Sequence, residues 1–379
     1  AVSPLAHVQA IQLGFQNGHK SAPSNRLTPI RASMRPLFSN AAMLANGVKN
    51  VFNSTALCLC YCCFKLPSTG RNVLLHKEKT MSKQTISVFG LGSMGFGVAC
   101  SALAAGHHVY GFDVNIASQD RFLAKGGDRA EIAEAGAVSD VVISVVLNGA
   151  QTTDILFGET GIVPHMRPGS VVISCATVAP DLARELAAKC DAFQVLYLDA
   201  PISGGSVKAA EGALTMMASG SADAFAAAQP ALDAITQTVY QLGDVAGPGS
   251  AMKAVNQLLA GVHIAAMGEA LTFGISQGVD AARIVEVISK CAGTSWMFEN
   301  RAPHVVDGDY TPHSAINIWL KDLGIVLDVA KGSHFSAPLA AAALQQFVAA
   351  AGQGLGGEDD AAVAKVYAKN AGLALPKAK

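Results

Sequence analysis

The sequence predicts an α/β protein: a doubly wound parallel sheet, followed by an all-helical half that a long helix joins to it. Three observations carry that expectation. From Thr85 onward, short β-rich runs alternate with Ala-rich or amphipathic stretches, the pattern of a parallel sheet covered by helices on both faces. A glycine-rich hexapeptide, Gly90-Leu91-Gly92-Ser93-Met94-Gly95, closes the first run and opens a helix-like stretch. Beyond Gly243 the strand-like runs stop, and the chain from Gly247 to Gly278 keeps helical spacing.

The strand-like runs are TISVFG, HVYGFD, VVISVV, SVVIS, QVLYLDA and LTMMAS. In the G-x-G-x-x-G loop, Gly90 and Gly92 permit a tight turn and the approach of a pyrophosphate to backbone amides, Gly95 lets helix and strand pack closely, and Leu91 and Met94 complete the cradle. The phosphate then meets the positive end of a helix. Asp113 ends the second run, eighteen residues beyond Gly95, where its carboxylate can accept hydrogen bonds from the adenosine ribose. A 2′-phosphate there would meet like charge, so NAD is expected rather than NADP. Capping the next helix is the plainer role for Asp113; strand, glycines, helix and acid in register favour the nucleotide. This Rossmann-type half is expected over 81–246. Pro248 suits the entrance of the long helix and Gly278 its end. At 1.5 Å per residue it would extend roughly 40 Å, suited to joining two domains, the second being the helical half over 247–379.

Composition narrows the function classes. The 379 residues are 51% hydrophobic and only 15% charged, enough to bury a sizeable core, and no uninterrupted apolar run is long enough to read as a membrane span. The net charge of -1 conceals two unlike segments. Residues 1–80 hold nine Lys or Arg against the single acid Glu78, while the remainder holds 18 basic and 27 acidic residues. So acidic a body lacks the clustered basic face that nucleic acid requires. The first eighty residues show no sustained periodicity, and fit a targeting segment or a non-native extension equally. The expected location is accordingly the cytoplasm, or the mitochondrial matrix if that segment directs transit. Within it, Cys58, Cys60, Cys62 and Cys63 lack the second ligand pair of a structural zinc site. Cys100, Cys175, Cys190 and Cys291 lie among apolar residues and read as reduced core cysteines.

A second motif follows the fifth run: Asp199-Ala200-Pro201-Ile202-Ser203-Gly204-Gly205, then Gly212, Leu214, Thr215 and Met217. Consecutive small residues can turn their amides toward one point, and the Ser203 hydroxyl adds a donor, making a concavity suited to a carboxylate. Near the start of the long helix stands Lys253, within Gly247-x-Gly249-x-x-x-Lys253-x-x-Asn256. Its neighbours Met252, Ala254 and Val255 are apolar, and such surroundings lower an amine's pKa by disfavouring the charged form. Taken alone, the serine-glycine stretch would be a plain turn and the lysine a solvated charge.

Together these motifs resemble the β-hydroxyacid dehydrogenase family, the group of 3-hydroxyisobutyrate dehydrogenase, from about Met81 to the C-terminus. The resemblance implies that Ser203, Gly204, Gly205 and Asn256 bind substrate and that Lys253 is the general acid/base of hydride transfer to NAD. It also implies cofactor contacts from Leu147, where this chain has Leu147-Asn148 in place of the family's Leu-Pro, from Thr177 in ISCATVAP, and from Lys321 and Asp322 in the K-D-L stretch. Family members carry two asparagines at the third and fourth positions after the lysine, whereas this chain has Asn256-Gln257, so Gln257 would reach one methylene further toward a substrate. The runs KAVNQLLAGVHIAA and ISGGSVKAAEGALTMMASG look most like the branch that oxidises L-threonate at C2. 3-Hydroxyisobutyrate, tartronate semialdehyde and glyoxylate are the alternative substrates, and a cofactor-binding module without turnover is the distant third reading.

No metal is expected. His107 and His108 end a helix, His263 faces an apolar helix, and His304 and His313 are separated without carboxylate partners. Trp296, Phe298 and Trp319 are expected in core or pocket wall. The partners expected are a small hydroxy acid and further copies of the chain, dimer or tetramer, with no nucleic acid and no membrane.

Overall fold

The computed structural model describes residues 82–378; the Cys58–Cys63 cluster lies outside them. Five parallel strands form the main sheet in the order β2-β1-β3-β4-β5: β1 (Thr85–Phe89), β2 (His108–Phe112), β3 (Val141–Ser144), β4 (Val171–Ser174) and β5 (Leu196–Asp199). β3 and β4 are buried along their whole length, which is why these runs carry no polar alternation. The crossovers are α1 (Gly95–Ala104), α2 (Ile116–Leu123) with α3 (Ile132–Val138), α4 (Gly149–Phe157) and α5 (Pro180–Asp191). Because the chain leaves β1 toward β2 on one side and returns to β3 on the other, the strand order reverses at β1. The crevice outside the carboxyl ends of β1 and β3 is where doubly wound sheets hold ligands.

The doubly wound sheet and the helical half expected from sequence are both present; the sixth run is placed differently. LTMMA is β7 (Leu214–Ala218), the centre of a separate sheet between β6 (Ile202–Ser203), antiparallel to it, and β8 (Thr236–Gln241), parallel to it. Only Ala200 and Pro201 separate β5 from β6, far too few residues for a parallel crossover. The chain therefore starts a new sheet, with α6 (Gly205–Ala210) between β6 and β7 and α7 (Ala222–Ile235) between β7 and β8. A continuous apolar run reports burial on two faces and is silent about its partner.

Among the described residues from Pro248 onward, the α-helices are α8 (Pro248–Ser276), α9 (Ala281–Ile288), α10 (Trp296–Asp307), α11 (Ile316–Gly332), α12 (Pro338–Gly352) and α13 (Val363–Asn370), with no extended strand between them. α8 has the length and apolarity of a membrane span, yet Ile264, Met267 and Leu271 pack in one core with Phe298, Trp319, Leu323 and Phe347 of the surrounding helices. It is the central helix of this half. Its end is set by Gly278, whose left-handed φ of 79° no side-chain-bearing residue adopts cheaply.

Candidate active site

The first turn of α8 is fixed by Asp199, which the sequence places in the second motif without showing its role. Asp199, 1% exposed at the end of β5, accepts from the Gly247 and Ser250 amides at 2.9 and 2.8 Å through Oδ2, and from Ser250 Oγ at 2.6 Å through Oδ1. The Gly249 amide donates to Ser219 Oγ at 2.9 Å. A Cβ on Gly249 would lie 2.4 Å from the Asp199 carbonyl oxygen, so glycine is what lets the helix press against β5. The carboxylate satisfies amides that a helix start otherwise leaves bare, and complements its dipole. The first residue of the D-A-P-x-S-G-G motif thus anchors the helix that carries Lys253.

One turn further on, Lys253 is 8% exposed and its Nζ donates to the Ile202 carbonyl at 2.9 Å. That bond brings the amine to the residue preceding Ser203. Burial pulls the Lys253 pKa from an ordinary 10.5 down to about 8; Asp322 raises it in part and Lys321 lowers it further. An amine in this range can give or take a proton near neutrality.

Asp322 and Lys321 lie on α11. Lys321 Nζ is 2.6 Å from Asp322 Oδ1, an ion contact rather than a directed hydrogen bond, and Gln257 Nε2 donates to Asp322 Oδ2. Asn256 Nδ2 donates to Gln257 Oε1 at 2.9 Å. Gln257 is therefore turned to Asp322 across the α8–α11 contact, whereas the sequence suggested that it extends toward a substrate; the shared buried face of two helices is invisible in a local motif.

Ser203 is half-buried at the end of β6. Gly204 and Gly205 follow with φ of 132° and 75°, values that demand glycine, and a Cβ on Gly205 would meet nothing within 4 Å. α6 begins there and packs on α1 so closely that a Cβ on Gly97 would lie 2.7 Å from the Ala210 nitrogen. This contact couples the serine-glycine turn to the helix that the glycine-rich loop opens.

In that loop, the added Cβ of Gly95 would fall 1.8 Å from the Gly90 carbonyl oxygen and that of Gly90 2.3 Å from the Val145 carbonyl, while Gly92 would meet nothing within 4 Å. Gly90 and Gly95 are thus required by the protein's own packing, and Gly92 leaves open a cradle that fits a pyrophosphate. Asp113 accepts from the Leu91 amide at 2.6 Å and the Asn115 amide at 2.8 Å; Asn115, not Asp113, caps α2. Leu91 is buried, and Met94 is the residue before α1. Leu147 is 65% exposed after β3, and Asn148 caps α4 by accepting from the Gln151 amide at 2.9 Å, which accounts for asparagine at that position. Thr177 follows β4 and is half-buried. These loops all leave carboxyl ends of the parallel strands, on one edge of the sheet.

Four other expectations need correction. His107 follows the helix and His108 opens β2 rather than ending α1. His304 and His313 do have a carboxylate partner: their ligating atoms and that of Asp359 lie within 4.8 Å of one another. Asp359 is buried and already accepts from His304 Nδ1, the His313 amide and the Ala361 amide at 2.8 to 3.1 Å, so the group works as a clasp between α10 and the chain before α13. Cys291 is exposed and not a core residue. Phe298 and Trp319 are buried in the helical core, whereas Trp296 is 69% exposed at the start of α10.

Comparison with known proteins agrees across the described chain. Residues 85–243 match the family model of the NAD binding domain of 6-phosphogluconate dehydrogenase. Residues 247–367 match that described as NAD-binding of NADP-dependent 3-hydroxyisobutyrate dehydrogenase. L-threonate dehydrogenase of Cupriavidus necator is 49% identical over 294 residues, 77% of this chain and 98% of that protein. The enzyme of the same name from Escherichia coli K12 is 45% identical over 79% of this chain and 99% of its own. Among solved structures, a 3-hydroxyisobutyrate dehydrogenase from Salmonella typhimurium superposes with a TM-score of 0.71 at 45% identity, over 75% of this chain and all of that one. A 3-hydroxyisobutyrate dehydrogenase from Mycobacterium tuberculosis, solved with L-serine, gives 0.68 at 28% identity, covering 75% and 99% of the two chains.

Proposed function

This chain belongs to the β-hydroxyacid dehydrogenase family typified by 3-hydroxyisobutyrate dehydrogenase, and on that premise we propose that it oxidises L-threonate at C2 to the 2-oxo acid with NAD. It is an NAD-dependent hydroxyacid dehydrogenase; the choice of acid rests on L-threonate dehydrogenases 43 to 49% identical to it. One observation carries the mechanism: a buried amine of pKa about 8 that is hydrogen-bonded beside Ser203.

NAD, when bound, supplies the acceptor for the hydride leaving C2. Gly90 to Gly95 would hold its pyrophosphate at the start of α1, and Asp113 its adenosine ribose, where the negative charge disfavours a 2′-phosphate. Leu147 and Thr177 would line the nicotinamide side with Lys321, which Asp322 pins. Ser203, Gly204 and Gly205 would receive the substrate carboxylate through hydroxyl and amides, with Asn256 contacting its hydroxyls. Lys253, neutral, takes the C2 hydroxyl proton as the C–H bond breaks and returns it in the reverse direction. The Ile202 carbonyl keeps its Nζ at that position meanwhile.

We also assign a homo-oligomer. Met252, Val255, Leu259 and Phe273 stand exposed along α8, a stripe whose burial a second copy would supply. Light scattering coupled to size exclusion tests this, a monomer at micromolar concentration contradicting it. For the activity, purified protein with NAD should form NADH on L-threonate. Turnover of 3-hydroxyisobutyrate with none of threonate would overturn the substrate and leave the class standing.

A further inference from the structure

We propose that Gln257 is a positioning residue, a two-headed clamp that ties Asn256 of the substrate side to Asp322 of the cofactor side. The inference rests on the reading of the site given above and concerns the position at which this chain departs from the two-asparagine pattern of its family.

Gln257 lies one helical turn after Lys253 on the buried face of α8, with 7% of its surface exposed. Both ends of its amide are engaged. Nε2 donates to Asp322 Oδ2 on α11, 65 residues away in sequence, and Oε1 accepts from Asn256 Nδ2 at 2.9 Å. An amide that donates at one end and accepts at the other cannot flip without losing both bonds. Its orientation therefore fixes that of Asn256, whose Oδ1 stays available as an acceptor, and holds the Asp322 carboxylate, whose other oxygen is 2.6 Å from Lys321 Nζ. Asparagine at 257 would withdraw the amide by about 1.5 Å, one C–C bond, and could not span the two helices.

The clamp also acts on Lys253. The charged groups that shift this amine are Asp322, which favours its protonated form, and Lys321, which opposes it, both from α11. Against the first turn of α8 stand Asp199 of β5, bonded to Gly247 and Ser250, and Arg184 of α5 beside Gly247. Gln257 Nε2 fixes where the Asp322 carboxylate stands, and the field of that carboxylate at the amine depends on its distance. Released by loss of Gln257, Asp322 supports the ammonium less, and the pH at which Lys253 becomes a competent base falls.

The test is a double-mutant cycle of Gln257→Leu and Asp322→Ala in the full-length protein, with Gln257→Asn as the reach control. Each variant is read by NADH fluorescence titration, which needs no substrate, and by kcat against pH for L-threonate. The expected result is that Gln257→Leu and Gln257→Asn both weaken NADH binding about tenfold or more, the size of a hydrogen bond to a charged group. The double variant should then lose no more than Asp322→Ala alone. The acid limb of kcat should move down by about half a pH unit or more in Gln257→Leu. Additive losses in the NADH cycle overturn the clamp, as does a Gln257→Asn variant indistinguishable from wild type. If the wild type turns over no hydroxy acid, the proposed function fails, and the NADH cycle still decides the clamp.

Discussion

Replacing Lys253 by methionine should make the protein more stable while removing its activity. The fall of the Lys253 pKa from 10.5 to about 8 means that the folded protein at neutral pH holds a charge it would shed more readily than the unfolded chain. At 1.36 kcal/mol per pH unit, that difference costs about 3 kcal/mol. The sign follows from proton counts: between about 8 and 10.5 the unfolded chain binds more protons, so stability rises with pH across that window. Below it the penalty is fully present. Methionine fills a similar volume without charge and forfeits the bond to the Ile202 carbonyl, worth about 1 kcal/mol. The net gain is about 2 kcal/mol, or a Tm higher by about 4 °C for a chain of this size. Calorimetry of wild type and Lys253→Met at pH 7 and pH 10 measures it, and the gap should narrow at the higher pH. A variant less stable than wild type at pH 7, or a gap independent of pH, would refute the reasoning.

The glycine-rich loop separates packing from binding. Gly95→Ala drives a Cβ to 1.8 Å from the Gly90 carbonyl and should lower Tm by about 5 °C or more in a thermal melt; Gly92→Ala should melt like wild type yet bind NADH at least about tenfold more weakly by titration. Asp199→Ala leaves two buried amides without their acceptor, a loss of about 2 to 6 kcal/mol, and should lower kcat as well, because the start of α8 sets where the lysine stands. Asp113→Ser should narrow the ratio of kcat/KM for NAD over NADP by about tenfold or more, read from initial rates with each cofactor.

The parts that were legible from sequence are those where chemistry constrains a local run. G-x-G-x-x-G with Asp113 in register, the serine-glycine turn and a lysine framed by glycines all announce themselves within a few residues. The illegible parts depend on pairs brought together from afar. Asp199 caps a helix that begins 49 residues later; nothing in its own stretch distinguishes that role from membership of the turn motif. Gln257 meets Asp322 only because α11 packs on α8, and Asp359 joins His304 only when the chain before α13 folds back on α10. β8, with four of its six residues polar and little of it buried, offered too weak an alternation to be read as a strand. Leu147-Asn148 occupies the intermediate case, since the departure was visible but its cause, the cap on α4, was not.

The most direct measurement is the pH dependence of kcat for L-threonate oxidation in wild type and Lys253→Met, with NADH affinity determined in parallel. In wild type, kcat should climb with pH, pass half its maximum near 8 and level off about one pH unit higher, as the amine loses its proton. In the variant, turnover should fall by a factor of about 1,000 or more and lose that limb, while NADH binds within about twofold of wild type. A Lys253→Met protein that keeps the wild-type rate and pH profile would show that the proton is taken elsewhere.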